Sequence, residues 1–63
     1  MDWENWKMSL AFVSQRAIGD QIYTAYRDTE NPRNQFIERG GDYKPCRIRD
    51  VWATDHLIEA LWR

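Results

Sequence analysis

The sequence predicts an all-α protein: a small helical hairpin forming a single domain over residues 1–63, with the capacity to dimerise into a bundle. Between residues 3 and 26, apolar residues recur at steps of three and four, close to the 3.6-residue helical turn. A second helical pattern covers residues 50–62, and the segment between them is rich in loop signals. The first apolar stripe consists of Trp3, Trp6, Leu10, Val13, Ala17, Ile18, Ile22 and Ala25.

The long N-terminal helix is the first predicted element. Asp2 is suited to cap it, because side-chain oxygens of such residues accept hydrogen bonds from the first free N–H groups. Gly19 interrupts the pattern, and a glycine inside a helix costs about 0.5–1 kcal/mol relative to alanine. The stripe keeps its phase across Gly19, which favours one helix over two helices that meet there. Met8 and Phe12 lie on the opposite side of this helix and predict a second contact surface.

The middle segment predicts a short helix or a short extended piece. Asn31 followed by Pro32 is a helix-start signal, and Gly40 is a typical helix stop, so residues 33–39 form a candidate helix. An extended conformation of residues 35–38 is the alternative. A turn is expected at residues 40–42.

The shorter C-terminal helix is expected over residues 50–62, with Asp50 or Thr54 as its N-cap. It would pack antiparallel against the first helix and cover its apolar stripe. Trp62 would then approach Trp3 or Trp6 near the two chain ends.

Chain length and composition limit how the fold is stabilised. A 63-residue chain buries only about 60% of its unfolded surface, so its core is small. Cys46 is the only cysteine, which excludes an intrachain disulfide, and with one histidine it falls short of a four-ligand zinc site. Four Trp, three Tyr and two Phe favour dense aromatic packing or a homodimer.

The charge and hydropathy patterns indicate a cytoplasmic protein that does not enter a membrane. The single cysteine suits a reducing compartment, and no apolar run approaches the roughly 18 residues of a membrane-spanning helix. The N-terminus lacks the pattern of a signal peptide. The chain begins with Met and is expected to be a complete small reading frame of the kind common in phage.

Catalysis is not expected, and no cofactor or metal is predicted. Cys46 and His56 are the only Cys/His pair, and a continuous helix would hold them about 15 Å apart, too far for a nucleophile and its base. The carboxylates show no spacing that would bring them together, so solvent-exposed charges are the simplest interpretation.

The middle segment is mildly electropositive, although the net charge of −1 excludes a strongly basic polyanion binder and a strongly acidic DNA mimic. Arginine binds phosphate in a bidentate manner, and aromatic residues such as Tyr43 and Trp52 can stack on bases. The competing interpretation is local ion pairing with Asp28, Glu30, Glu38, Asp42 and Asp50. The candidate nucleic-acid-binding residues are Arg33, Arg39, Lys44, Arg47 and Arg49.

The functional hypothesis is a small non-enzymatic regulator or inhibitor that binds a protein partner and occludes or bridges it. Trp, Tyr and Arg dominate interface hot spots, and this sequence is rich in all three. A nucleic-acid-binding regulator and a self-assembling structural subunit are the alternatives. The candidate partner-binding residues are Met8, Phe12, Tyr23, Tyr26, Arg27 and Trp52.

Overall fold

A computed structural model describes residues 9–63 and shows a four-stranded antiparallel sheet with two short helices. The all-α helical hairpin predicted from the sequence is therefore wrong. The strands follow one another across the sheet in chain order, each paired with its sequence neighbour. The elements are β1 (Leu10–Ile18), β2 (Gln21–Asp28), β3 (Gln35–Arg39), β4 (Asp42–Pro45), α1 (Ile48–Val51) and α2 (Asp55–Ala60).

Gly19 lies in a hairpin turn and not within a helix. Two residues, Gly19 and Asp20, join β1 to β2, and Ile18 pairs with Gln21 across the turn. Gly19 has a φ of 59°, a conformation that a type II′ hairpin turn requires at its first central position. The weak point in the predicted helix is thus the feature that reverses the chain.

The apolar stripe that predicted the long helix is divided between the two faces of the sheet. Val13, Ile18 and Ala25 face the helices and belong to the core or pack against it. Ala17 and Ile22, paired across β1 and β2, lie on the opposite face, because side chains alternate along a strand. Along a strand a step of three residues changes face and a step of four does not, so a stripe that mixes both steps divides between the two faces. The predictions for Asp2, Trp3, Trp6 and Met8 lie outside the described residues.

The middle segment forms β3 and β4. The short helix predicted over residues 33–39 is wrong, and the extended alternative for residues 35–38 is confirmed. Gly40 and Gly41 form the expected turn with φ values of 57° and 87°, and both are positive as a type I′ turn requires. The carboxylate of Glu38 accepts a hydrogen bond from the Gly41 N–H at 2.7 Å.

The continuous C-terminal helix is replaced by two short helices separated at residues 52–54. Thr54 caps α2, since its hydroxyl accepts a hydrogen bond from the Leu57 N–H at 3.2 Å, which confirms one of the two predicted caps. Ile58 of α2 is buried against Tyr23, Ala25 and Ile37 of the sheet. Within the described part of the chain, no helix is long and apolar enough to cross a membrane.

Candidate binding edge

The outer edge of β1, called here the β1 edge, is one of the two ends of the sheet. In the described part of the chain, β1 pairs only with β2, so one side of the strand has no backbone partner. At nine residues it is the longest of the four strands. It contains neither Pro nor Lys, two residues that commonly block pairing at sheet edges.

The register indicates which amides of β1 point away from the sheet. Ile18 and Gln21 close a two-residue hairpin, and such a pair exchanges backbone hydrogen bonds. Alternate residues point outward, which places the N–H and C=O groups of Gln15 and Ala17 on the free side. At the other end, the Ser9 carbonyl accepts a hydrogen bond from the Thr29 N–H at 2.8 Å, so the backbone of Leu10 points outward.

A β-bulge between Phe12 and Ser14 shifts the register in the middle of β1. The extra residue, Val13, packs against the core on the helix-covered face. Phe12 pairs with Tyr26 on the opposite face, and its side chain is 63% exposed. A bulge adds local twist and changes the direction of the side chains beside it, and here it leaves a large exposed aromatic side chain on the edge strand.

The one charged side chain of β1 is held away from the β1 edge. The Arg16 guanidinium forms an ion pair with Asp55 at 3.1 Å and lies 4.9 Å from the Trp52 ring centroid. Both partners belong to the helical layer, so Arg16 points to the helix-covered face. Among the described residues, β1 therefore places no charge at its outer edge that would oppose strand pairing.

The structure separates the predicted partner-binding residues. Phe12 and Tyr26 are cross-strand neighbours, and Tyr26 lies 5.9 Å from Tyr43 between ring centroids. Tyr23 is buried in the core, where its ring meets Trp62 edge-on at 5.5 Å. Trp52 lies beneath Arg16. Met8 is outside the described residues. Arg27 follows Tyr26 near the C-terminal end of β2 and pairs with Gln35 of β3, and its side chain points to the opposite face of the sheet from that of Tyr26.

The predicted nucleic-acid-binding residues do not form one surface. The Arg39 guanidinium lies 4.9 Å from the Trp62 ring centroid and donates to the Tyr23 hydroxyl at 3.4 Å. Lys44 pairs with Asp42 at 4.0 Å and Arg47 with Asp50 at 3.7 Å, as the local ion-pairing interpretation expects. Arg49 is exposed on α1. Arg33 and Arg47 line a concavity together with Arg27.

Cys46 is half-buried after β4, and its N–H donates to the Gln35 carbonyl at 3.0 Å. Burial raises the pKa of its thiol to about 11, so the thiol is neutral near pH 7 and a poor nucleophile. His56 is exposed on α2. In residues 9–63, no group of three or more His, Cys, Asp or Glu is arranged to hold a metal ion.

No family model, curated protein or solved structure matches this chain. The outward amides of Gln15 and Ala17 were not among the residues predicted from the sequence. A two-residue Gly-Asp turn between runs rich in β-branched and aromatic residues is a hairpin signal, and it could have indicated these strands.

Proposed function

We propose that this protein is a small non-enzymatic binding protein that adds an extended segment of a protein partner to the β1 edge. By holding that segment, it occludes or bridges the partner and so acts as a regulator or inhibitor. The observation that supports this proposal is the long β1 edge, with outward amides at Gln15 and Ala17 and no blocking residue.

Strand addition divides recognition between backbone and side chains. Main-chain hydrogen bonds to the edge provide affinity, and alternating side chains provide specificity. Phe12, 63% exposed, would contact an apolar side chain of the incoming strand. The segment that fits is therefore extended, free of proline at paired positions, and apolar opposite Phe12.

The bulge favours a segment of a different protein over a second copy of this chain. Ser14 is the middle residue of β1, and the bulge lies directly beside it, between Phe12 and Ser14. A symmetric β1–β1 pair would place both bulges near the two-fold axis, where they interrupt the ladder. A foreign segment need not be symmetric about the bulge: it can form its backbone hydrogen bonds along Gln15 to Ile18 and extend past the bulge only far enough to place an apolar side chain beside Phe12.

The proposed setting is the cytoplasm. Cys46, the single cysteine of the chain, is a free thiol and suits a reducing compartment. In that setting the partner would be another cytoplasmic protein with an accessible extended segment.

Ala17→Pro tests the proposal, because proline removes the outward N–H of Ala17 and is tolerated on edge strands. Wild type, Ala17→Pro and the control Leu57→Ser are used as baits in native lysate. Leu57 is an apolar residue on α2 that is 43% exposed, so Leu57→Ser tests whether capture depends on nonspecific hydrophobic contacts. A synthetic chain with N-methyl-Ala17 removes the same donor without the proline ring.

The expected result is a protein captured by wild type and by Leu57→Ser but lost with both Ala17 variants, while circular dichroism shows that all four fold. Equal capture by every bait, or capture by none, would overturn the proposal. Analytical ultracentrifugation of the isolated protein measures whether it dimerises through its own β1 edge. A dimer that dissociates on Ala17→Pro would identify a second copy as the occupant and also overturn it.

A further inference from the structure

Three arginines surround an open concavity at the end of the sheet opposite Trp62. The concavity has a volume of about 650 Å³. It lies where β2 ends and β3 begins, and it is independent of the β1 edge. Its lining residues are Arg27, Pro32, Arg33, Gln35 and Arg47.

Gln35 fixes the three segments that carry these arginines. It pairs with Arg27 across β2 and β3, and its side-chain amide donates to the Pro32 carbonyl at 3.2 Å. Its side-chain oxygen accepts from the Ile48 N–H at 2.8 Å, beside Arg47. One half-buried glutamine therefore ties the strand, the connecting loop and the start of α1 together.

The loop that carries Arg33 is ordered by its own hydrogen bonds. The Asn31 side-chain oxygen accepts from the Arg33 N–H at 3.4 Å, and the Asn31 carbonyl accepts from the Asn34 N–H at 2.9 Å. The Asp28 N–H donates to the Asn34 carbonyl at 2.9 Å and closes the loop. The backbone that presents Arg33 is thus preorganised.

The described residues compensate the charges in the concavity only in part. No carboxylate lines it, and within residues 9–63 neither Arg27 nor Arg33 forms an ion pair. Arg47 has only a long contact to Asp50, 3.7 Å, and its side chain is 76% exposed. The chain has a net charge of −1, yet three guanidinium groups surround this one concavity. This local excess of positive charge favours the binding of an anion.

We propose that this concavity binds a phosphoryl group that carries more than one negative charge. A phosphate monoester carries about −1.5 to −2 at pH 7 and presents three acceptor oxygens, whereas a carboxylate carries a single charge. Guanidinium groups bind phosphate oxygens in a bidentate manner, so three of them match a phosphoryl group better than a carboxylate.

Titration with inorganic pyrophosphate at low salt tests the site, followed by NMR of the arginine Nε–Hε signals. Saturable shifts are expected for Arg27, Arg33 and Arg47. Arg33→Gln is expected to raise the Kd at least about tenfold, because hydrogen bonds to charged groups are worth about 1.5–3 kcal/mol. Arg63→Gln is the charge-matched control, since Arg63 follows Trp62 at the far end of the sheet.

A parallel titration with a ten-nucleotide oligothymidylate tests the charge requirement, because each internal phosphodiester carries only one negative charge. The expected result is that pyrophosphate binds and the oligonucleotide binds more weakly or not at all. If the oligonucleotide binds at least as tightly and Arg33→Gln weakens it, the site recognises a nucleic-acid backbone and the proposal of a multiply charged phosphoryl group is overturned. Equal weakening by Arg33→Gln and Arg63→Gln, or no saturation with either probe, would overturn it. Arg33→Gln leaves the β1 edge unchanged, so partner capture is unaffected.

Discussion

The two edges of the sheet are built in opposite ways. β4 has four residues, includes Lys44 and ends at Pro45, so it is short and carries two features that block pairing. Trp62 returns from the C-terminus and donates its indole N–H to the Asp42 carboxylate at 2.7 Å. The β1 edge is nine residues long and has none of these features in the described part of the chain. Its one irregularity there is a bulge.

Within the described residues, one edge of the sheet is therefore protected, whereas the other has no backbone partner. Unprotected edges are aggregation hazards, which natural proteins usually block. Within residues 9–63, the β4 edge has these protective features and β1 has only a bulge, and this contrast motivates the proposal that the β1 edge binds a partner. The predictions below test the two sides of this contrast, beginning with the side that Trp62 protects.

Trp62→Ala is expected to give the largest loss of stability. The ring of Trp62 packs on Tyr23, stacks against Arg39 and donates to Asp42, so all three contacts are lost. Because Trp62 is half-buried, the cost is expected below the full range for Trp→Ala, at about 2–3 kcal/mol. The midpoint temperature of thermal unfolding should fall by at least about 10 °C.

Trp62→Phe separates packing from the hydrogen bond. It keeps an aromatic ring against Tyr23 but removes the donor to Asp42, so it should cost about 1 kcal/mol. Hydrogen exchange at β4 should accelerate in both variants and more in Trp62→Ala. If Trp62→Ala leaves exchange at β4 unchanged, the protected-edge description is wrong.

Cys46 reports on burial at the end of the same protected strand. With its pKa raised to about 11 from 9.0, the folded thiol has about 100-fold less thiolate at pH 8 than an unshifted one. Iodoacetamide should therefore alkylate the native protein about 100-fold more slowly than the unfolded chain in denaturant.

The same pKa shift gives stability a definite pH dependence. The unfolded chain loses this proton first, so the free energy of unfolding should fall as pH rises from about 9 towards 11. Cys46→Ala should lack this thiol component of the decline. Native and unfolded alkylation rates that agree within a factor of three would show that Cys46 is not shielded.

Gly19→Ala tests the turn that attaches β1 to the sheet. A positive φ of 59° disfavours L-alanine by about 1–2 kcal/mol, although no atom lies near enough to clash with the added methyl group. D-alanine at the same position adds the same methyl group but prefers positive φ, so it should preserve stability in a synthetic chain. Equal unfolding temperatures for the two variants would contradict the turn geometry.

Local signals in the sequence predicted the parts of the fold set by single residues. The Gly40–Gly41 turn and the Thr54 cap were predictable because each depends on local backbone chemistry. The strand β1 was not, because the bulge at Val13 breaks its alternation and the resulting spacing imitates a helix. The Gly19-Asp20 dipeptide indicates a hairpin turn, but the apolar periodicity on both sides of it favoured a continuous helix in the prediction.

The arginine concavity was predictable only in part. Arg33 and Arg47 were identified by residue type, but Arg39 and Lys44 share that type and have other partners in the fold. Gln35, which brings the arginine-bearing segments together, carries no distinctive signal in the sequence. Its position depends on the pairing of β2 with β3, which is a tertiary feature.

The smallest expected effect is that of Phe12→Ala, which together with Val13→Ala tests the bulge itself. Phe12→Ala removes more atoms than Val13→Ala, yet Phe12 is 63% exposed whereas Val13 packs against the core. Phe12→Ala should therefore change stability by only about 0.5 kcal/mol, while Val13→Ala should cost about 1–2 kcal/mol. Urea unfolding of the two variants measures both values. A larger cost at Phe12 would mean that the bulge directs the wrong side chain inward, and the β1 edge would then lack its exposed aromatic residue.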